Sequence, residues 1–252
     1  MRGEAATFLL ALQFLTRLPV QSEGLYTPAR MAASVRYYPL VGLIIGGVSA
    51  AVFWGAYQVF PILIAVLLSM AASLLLTGAF HEDGLADTFD GIGGGHTPEK
   101  SLEIMKDSRI GTYGSAALVM VLGLKAFALS AIAPSIIPIA LVVGHCLSRF
   151  SSLMVIATSR YVRTEGTGKP VAEGASSISL FIATATVGGV IVLWLSLQSP
   201  LALAYALGGL MIGHLFMRLF FERKLGGYTG DTLGAVQQLS ELGFYLGLLA
   251  WL

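Results

Sequence analysis

Seven stretches of this chain run apolar for about the 20 residues that a helix needs to cross a bilayer, which leaves very few folds open to it. Residues 39–59, 61–80, 114–133, 136–157, 179–197 and 201–221 each read as a span. A seventh, 233–252, is weaker, because Gln237, Gln238 and Glu241 interrupt its first half. Backbone polar groups in lipid must be satisfied within the segment, and runs this long predict helices rather than barrel strands. The expected fold is an all-α polytopic membrane bundle of about seven spans. Composition agrees: 56% of residues are apolar and 12% charged, against about 25% charged in a soluble domain. A net charge of +1, with basic residues scattered, excludes a field that would recruit nucleic acid. Cys146, the single cysteine, excludes an intrachain disulfide and reads as a packing residue. No linker or composition break divides the chain, so 1–252 reads as one domain.

The N-terminus carries Arg2 and then an apolar run from 5 to 15, the outline of a signal peptide. Glu4 stands where that region should be basic, and no small-x-small cleavage site follows. Phe8, Leu12 and Leu15 share one helical face, so a retained amphipathic helix at the membrane interface is the better reading. Basic residues fix the orientation. Arg2, Arg17, Arg30 and Arg36 precede the first span. Lys100, Lys106 and Arg109 lie between the second and third; Arg160, Arg163 and Lys169 follow the fourth; Arg223 and Lys224 follow the sixth. The alternate loops near 58–61, 134–135 and 198–200 have no Lys or Arg. The positive-inside rule then puts the N-terminus and every long loop in the cytoplasm.

The second span ends in Asp83-Gly84-Leu85-Ala86-Asp87-Thr88-Phe89-Asp90. At about 100° per residue, Asp87 lies roughly 40° from Asp83 and Asp90 roughly 20° to its other side, provided the helix continues. Three carboxylates on one narrow face repel unless a cation sits among them. Mg²⁺ suits them, since it prefers hard oxygens and is shared between carboxylates and substrate phosphates. The plain alternative is a solvated acidic helix end. Glu82 points to another face and reads as a surface charge; His81 reads as a ligand, a proton acceptor or, the favoured reading, a plain interface histidine.

Other polar residues gather on the same side. Thr97-Pro98 starts a short helix leading to Lys106-Asp107-Ser108-Arg109, whose cations suit phosphate, or else lipid headgroups. Gly226-Gly227-Tyr228-Thr229-Gly230-Asp231 is a glycine-rich turn opening a helix, able to offer the N–H groups of Thr229 and Gly230 to phosphate. Asp231 can bind metal, deprotonate a hydroxyl or simply cap the helix. Arg149 and Arg218 can clamp an anionic substrate or snorkel to the surface. Lys125, inside the third span, can pair with Glu241.

Several stretches resemble the cobalamin synthase family, the adenosylcobinamide-GDP ribazoletransferases. These are Gln13-Phe14-Leu15-Thr16-Arg17-Leu18-Pro19, Tyr38-Pro39-Leu40-Val41-Gly42 and His81-x-Asp83-Gly84-Leu85-Ala86-Asp87-x2-Asp90-Gly91. Met105-Lys106-Asp107-Ser108-Arg109-Ile110-Gly111-Thr112-Tyr113-Gly114 and Gly226-Gly227-x-Thr229-Gly230-Asp231-x-Leu233-Gly234-Ala235 continue the match. The resemblance implies a reaction. A hydroxyl of α-ribazole, or of its 5′-phosphate, attacks the phosphorus joined to cobinamide in adenosylcobinamide-GDP, and GMP leaves. It implies Mg²⁺ on Asp83, Asp87 and Asp90, with Lys106 and Arg109 on the GMP side and Asp107 or Asp231 as base. It also implies a bacterial or archaeal cytoplasmic (inner) membrane, with lipid as a partner; monomer and homo-oligomer both stay open. A rival, the CDP-alcohol phosphotransferase family, expects Arg where this chain has Asp87 after Asp83-Gly84-Leu85-Ala86. An ion-coupled transporter would need acidic residues at mid-span, where Glu241 stands alone.

Overall fold

The computed structural model describes residues 2–21, 24–164 and 168–252. Among them the chain is helical, with one isolated bridge between Tyr161 and Tyr228. The helices are α1 (Arg2–Leu15), α2 (Pro28–Ala33), α3 (Tyr38–Tyr57), α4 (Ile62–Thr77), α5 (Phe80–Gly94) and α6 (Pro98–Ile104). They continue as α7 (Thr112–Ala131), α8 (Ile137–Thr158), α9 (Ser177–Leu197), α10 (Pro200–Leu225) and α11 (Gly230–Trp251). Single 3₁₀ turns occupy Ser34–Tyr37 and Lys169–Val171.

Five segments are long and apolar enough to cross a membrane: Pro28–Tyr57, which contains α3, and helices α7, α8, α9 and α10. A sixth exists only if α4 and α5 count together, and those two are bent by 88°. The expected second span therefore does not run on into the acidic cluster. It stops at Thr77, where Gly78 (φ 65°) and Ala79 (φ 55°) both turn left-handed. Glycine adopts that conformation readily, whereas alanine there is strained by about 1–2 kcal/mol. The Arg17 N–H donates to the Leu76 carbonyl at 2.7 Å, satisfying one of the open carbonyls at the end of α4. Lying across the end of α4, α5 is not part of that crossing.

The seventh expected span is α11, and it is not among the helices apolar enough to cross. Its polar residues Gln237, Gln238 and Glu241 are buried inside the bundle instead of facing lipid. Lys125 on α7 donates to Gln238 Oε1 (2.6 Å) and Glu241 Oε1 (2.9 Å), which is the pairing the sequence suggests. Glu241 Oε2 also meets His145 Nδ1 at 3.1 Å and accepts from Gln237 Nε2 at 2.5 Å. Glu82 joins this network by accepting from Gln238 Nε2 at 2.8 Å. It is buried, so its reading as a surface charge is corrected: helix α5 turns it toward α11.

Small residues bring α11 close to its neighbours. A Cβ at Gly209 or Gly213 on α10, or at Gly243 or Gly247 on α11, would run into backbone of the facing helix. On α1 the buried face is Ala6, Leu10, Ala11 and Leu15, with Phe8 and Leu12 flanking it half-buried. The expected apolar face is thus rotated slightly, because Phe8 packs edge-on against Tyr37. Glu4 pairs with Arg36 at 3.0 Å and so fixes α1 onto the start of α3.

Candidate active site

Helix α5 carries all three aspartates, so the 3.6-residue repeat does align them. The helix ends at Gly94, and Gly95 is extended. Phe80 falls on the same arc, within about 80° of Asp83, Asp87 and Asp90. Their surroundings differ. Asp83 is exposed, Asp87 half-buried and Asp90 buried.

Asp90 has a structural occupation. Its Oδ2 accepts from Gly111 N–H at 2.7 Å and its Oδ1 from Gly114 N–H at 2.9 Å. Both donors stand at the start of α7, where N–H groups lack helical partners and negative charge is favourable. Gly111 and Gly114 leave the room for this approach, since a Cβ on either would collide with the carboxylate or fall close to it. Asp90 thus locks α5 to α7, each of its oxygens accepting one N–H. Among the described residues, no three His, Cys, Asp or Glu form a ready metal cage.

The opposite side of α5 docks on the first turns of α11. A Cβ at Gly84 would lie 2.6 Å from the Asp231 carbonyl oxygen, and one at Gly234 would lie 2.9 Å from that of His81. This seam sets Asp231 near Asp83 and Asp87. Thr229 is the cap of α11: its Oγ1 accepts from Thr232 N–H, and Thr232 Oγ1 accepts from Thr229 N–H. Asp231 is therefore free of capping duty. It pairs instead with Arg163, at 2.8 Å between Oδ2 and Nη2. Tyr228 N–H donates to the Arg160 carbonyl (2.8 Å) and Val162 N–H to that of Tyr228 (3.0 Å), so the turn before α11 holds Arg163 in place. Sequence reasoning counted Arg163 only for topology; a lone arginine in a loop gives no periodic signal.

The carboxylates act on one another. Burial, then the charges of Asp83 and Asp231, raises the Asp87 carboxyl to about 7, with Arg163 opposing. Asp107 goes the other way. Hydrogen bonds from Arg109 hold it down at about 2, with Oδ2 and Nη2 2.7 Å apart in an exposed pair. A carboxylate that acidic is a poor proton acceptor. Lys106 is also exposed, on the loop that Asp90 ties down. As expected, Thr97 caps α6, accepting from Lys100 N–H at 3.2 Å.

Arg218 is bound internally, to Glu222 Oε1 (3.0 Å), Thr158 Oγ1 (2.8 Å) and the Thr158 carbonyl (3.1 Å). It ties α10 to the end of α8 rather than standing free for substrate. Arg149 is buried, with Nη1 donating to the His145 carbonyl at 3.0 Å, and it lines a pocket together with Gly230.

The comparisons with known proteins agree with one another. A family model described as cobalamin-5-phosphate synthase matches residues 7–249. A protein of Leptothrix cholodnii is 47% identical over 98% of this chain and 96% of its own length. Another, from Shewanella frigidimarina, is 45% identical over 96% and 94%. A third, from Ralstonia pickettii, is 45% identical over the same shares. Each is named adenosylcobinamide-GDP ribazoletransferase. No solved structure matches the chain.

Proposed function

The chain belongs to the cobalamin-5-phosphate synthase family, and from that premise we propose that it is a membrane-embedded adenosylcobinamide-GDP ribazoletransferase. The observation that carries the reading is the seam between α5 and α11, which faces Asp83 and Asp87 toward Asp231 and Arg163. Burial and the charges of Asp83 and Asp231 raise the Asp87 carboxyl, and Arg163 is already paired with Asp231. Such a site suits a divalent cation and a diphosphate.

The acceptor is ribazole or its 5′-phosphate. Its hydroxyl oxygen forms a bond to the phosphorus attached to cobinamide, and the bond from that phosphorus to the GMP oxygen breaks. Asp231 receives the hydroxyl proton. Arg163, held beside Asp231, supplies positive charge to the phosphoryl oxygens as GMP departs. Lys106 and Arg109 lie further out, where an exposed pair of cations can attract the nucleotide end. In such a displacement the protein mainly positions the reactants and neutralises charge.

Two carboxylates fit Mg²⁺, which usually takes one or two from the protein and the remaining oxygens from substrate phosphate and water. Asp83 and Asp87 are the residues that would hold it, and bound there it would offset the charge of the diphosphate. The basic loops support a cytoplasmic membrane location with this site facing the cytoplasm, and lipid covers the outer helices.

The test is GMP release from adenosylcobinamide-GDP and α-ribazole 5′-phosphate by protein purified in detergent, with and without Mg²⁺. GMP forms with the wild type and Mg²⁺, while Asp87→Asn loses at least 100-fold in turnover, as losses of charge-stabilising groups do. Turnover by Asp87→Asn close to wild type at saturating Mg²⁺ would sink the metal assignment. Absence of GMP from the wild type would sink the reaction.

A further inference from the structure

The stretch Gln13-Phe14-Leu15-Thr16-Arg17 has no part in the reaction proposed above, yet it forms one bank of a groove between α1, α2 and the end of α4. The groove encloses about 380 Å³, within the range of about 300–1,000 Å³ common for small-molecule sites. Leu10, Phe14, Met31 and Phe80 line its apolar part, with Phe14 and Phe80 meeting edge-on. Gln13, Arg17 and Tyr26, all exposed, stand along its polar edge.

Arg17 carries the charge of this edge. Among the described residues it forms no ion pair, and no acidic residue lines the groove. Its stem is nevertheless held. A Cβ at Gly78 would run into Arg17 Nε and lie 3.0 Å from its Cγ, so the left-handed glycine leaves the side chain room to lie against the turn. Its backbone N–H is already committed to the Leu76 carbonyl. A cation is thus fixed over the end of α4, uncompensated by any described residue.

The two halves of the groove ask for different chemistry in one molecule. A guanidinium flanked by an amide and a phenol suits phosphate oxygens. The wall of Leu10, Phe14 and Met31 suits a hydrocarbon chain, which a soluble anion lacks. Position agrees with both. Helix α1 reads as an interfacial helix, and the groove opens where apolar α4 ends, the depth at which headgroups meet acyl chains.

We infer that this groove holds one anionic phospholipid, its phosphate on Arg17 and the upper part of an acyl chain along Leu10, Phe14 and Met31. The site goes beyond the proposed reaction and does not depend on it. The lipid would lie against the Gly78–Ala79 turn, from which α5 carries Asp83 and Asp87.

The test measures lipid retention separately from turnover. The protein is reconstituted in nanodiscs of equimolar phosphatidylcholine and phosphatidylglycerol, and the lipid it keeps is identified by native mass spectrometry. Wild type should keep one lipid and favour phosphatidylglycerol about fivefold, the effect expected of one basic residue at an anionic surface. Arg17→Gln should bring the two lipids to about parity while keeping the backbone contact to Leu76. Gln13→Glu should do the same by setting a carboxylate on the edge that Arg17 occupies, and it serves if the first variant does not fold. Arg223→Gln, which removes an exposed cation outside the groove, should keep the wild-type preference. Absence of a preference in the wild type overturns the inference, as does a wild-type preference in either folded groove variant. An equal loss in Arg223→Gln overturns it by showing a diffuse charge effect. Displacement of the lipid by glycerol phosphate overturns it too, by showing a site for soluble anions.

Discussion

A carboxyl group that releases its proton near pH 7 can exchange that proton for a metal ion within the physiological range. Asp87 is such a group, lifted to about 7 by burial and by Asp83 and Asp231. The sign follows from the upward shift. The folded protein binds this proton more tightly than the unfolded chain does, so without metal the contribution of Asp87 to stability is most favourable in acid and declines as pH rises from about 4 through about 7. Added Mg²⁺ should reverse the decline above pH 7. Below it, proton and metal compete, and the Mg²⁺ concentration for half-maximal GMP release should rise up to about tenfold per pH unit. Measuring it at pH 6, 7 and 8 checks this, and Asp87→Asn should remove the dependence. Asp90 should behave differently. Asp90→Asn replaces an acceptor of two N–H groups with an amide that satisfies one, and should cost about 1–3 kcal/mol in thermal stability while leaving the Mg²⁺ requirement unchanged. A shifted Mg²⁺ requirement with normal stability would return Asp90 to the ligand set. The sequence placed both aspartates on one face correctly, since periodicity is local. It could not separate their roles, because the partners of Asp90 lie 21 and 24 residues away. Arg163 stayed hidden for the same reason, its position being fixed by a bridge to Tyr228.

At the scale of helices, the site depends on how closely α5 lies on α11. Gly84→Ala would put a methyl group 2.6 Å from the Asp231 carbonyl oxygen, and backbone there cannot rotate aside as a side chain can. Overpacking of this kind costs about 1–3 kcal/mol, and here it also moves Asp231 away from Asp83 and Asp87. The variant should lose most of its GMP release while the midpoint of thermal unfolding falls only modestly. Near-normal activity would show that the seam tolerates separation. Behind it, the buried network gives a second element-scale prediction. Lys125→Met leaves Glu241 without its ammonium partner, and Glu241→Gln leaves Lys125 charged without its carboxylate. Each single change should cost about 3–5 kcal/mol, and the double variant should cost less than the two together. Simple additivity in a thermal-unfolding cycle would contradict the pairing. The helices themselves were legible from apolar length, as was the Lys125–Glu241 pair. The break at Gly78 and Ala79 was not, because a hydropathy window passes smoothly over two small residues. Gly78-Ala79 followed at once by Phe80-His81-Glu82-Asp83 was the available sign, an apolar run turning charged within a few positions.

For the molecule as a whole, the open question is which face of the membrane the seam looks toward. Helices α3 and α4, α7 and α8, and α9 and α10 are joined by short connections without Lys or Arg. The α5 end bears Arg17, Lys100, Lys106, Arg109 and Arg163. Inserted orientation follows that asymmetry, because basic residues resist translocation. Sequence carried this inference unaided, whereas apolar length alone marks five of these helices as crossings, or six with α4 and α5 taken together. Glu241 and its neighbours looked like defects in a lipid-facing span, when they are the inner lining of a bundle closed around α11. Labelling can decide the orientation with little background, since Cys146 is fully buried. Lys100→Cys and Gln58→Cys each put a thiol at an exposed position, separated by the length of α4, about 24 Å for its 16 residues. In intact cells a membrane-impermeant maleimide should label the cysteine at position 58 and spare the one at 100. In inverted vesicles the pattern should exchange. Labelling of position 100 from outside the cell would turn the carboxylate seam away from the cytoplasm and from the nucleotide substrates made there.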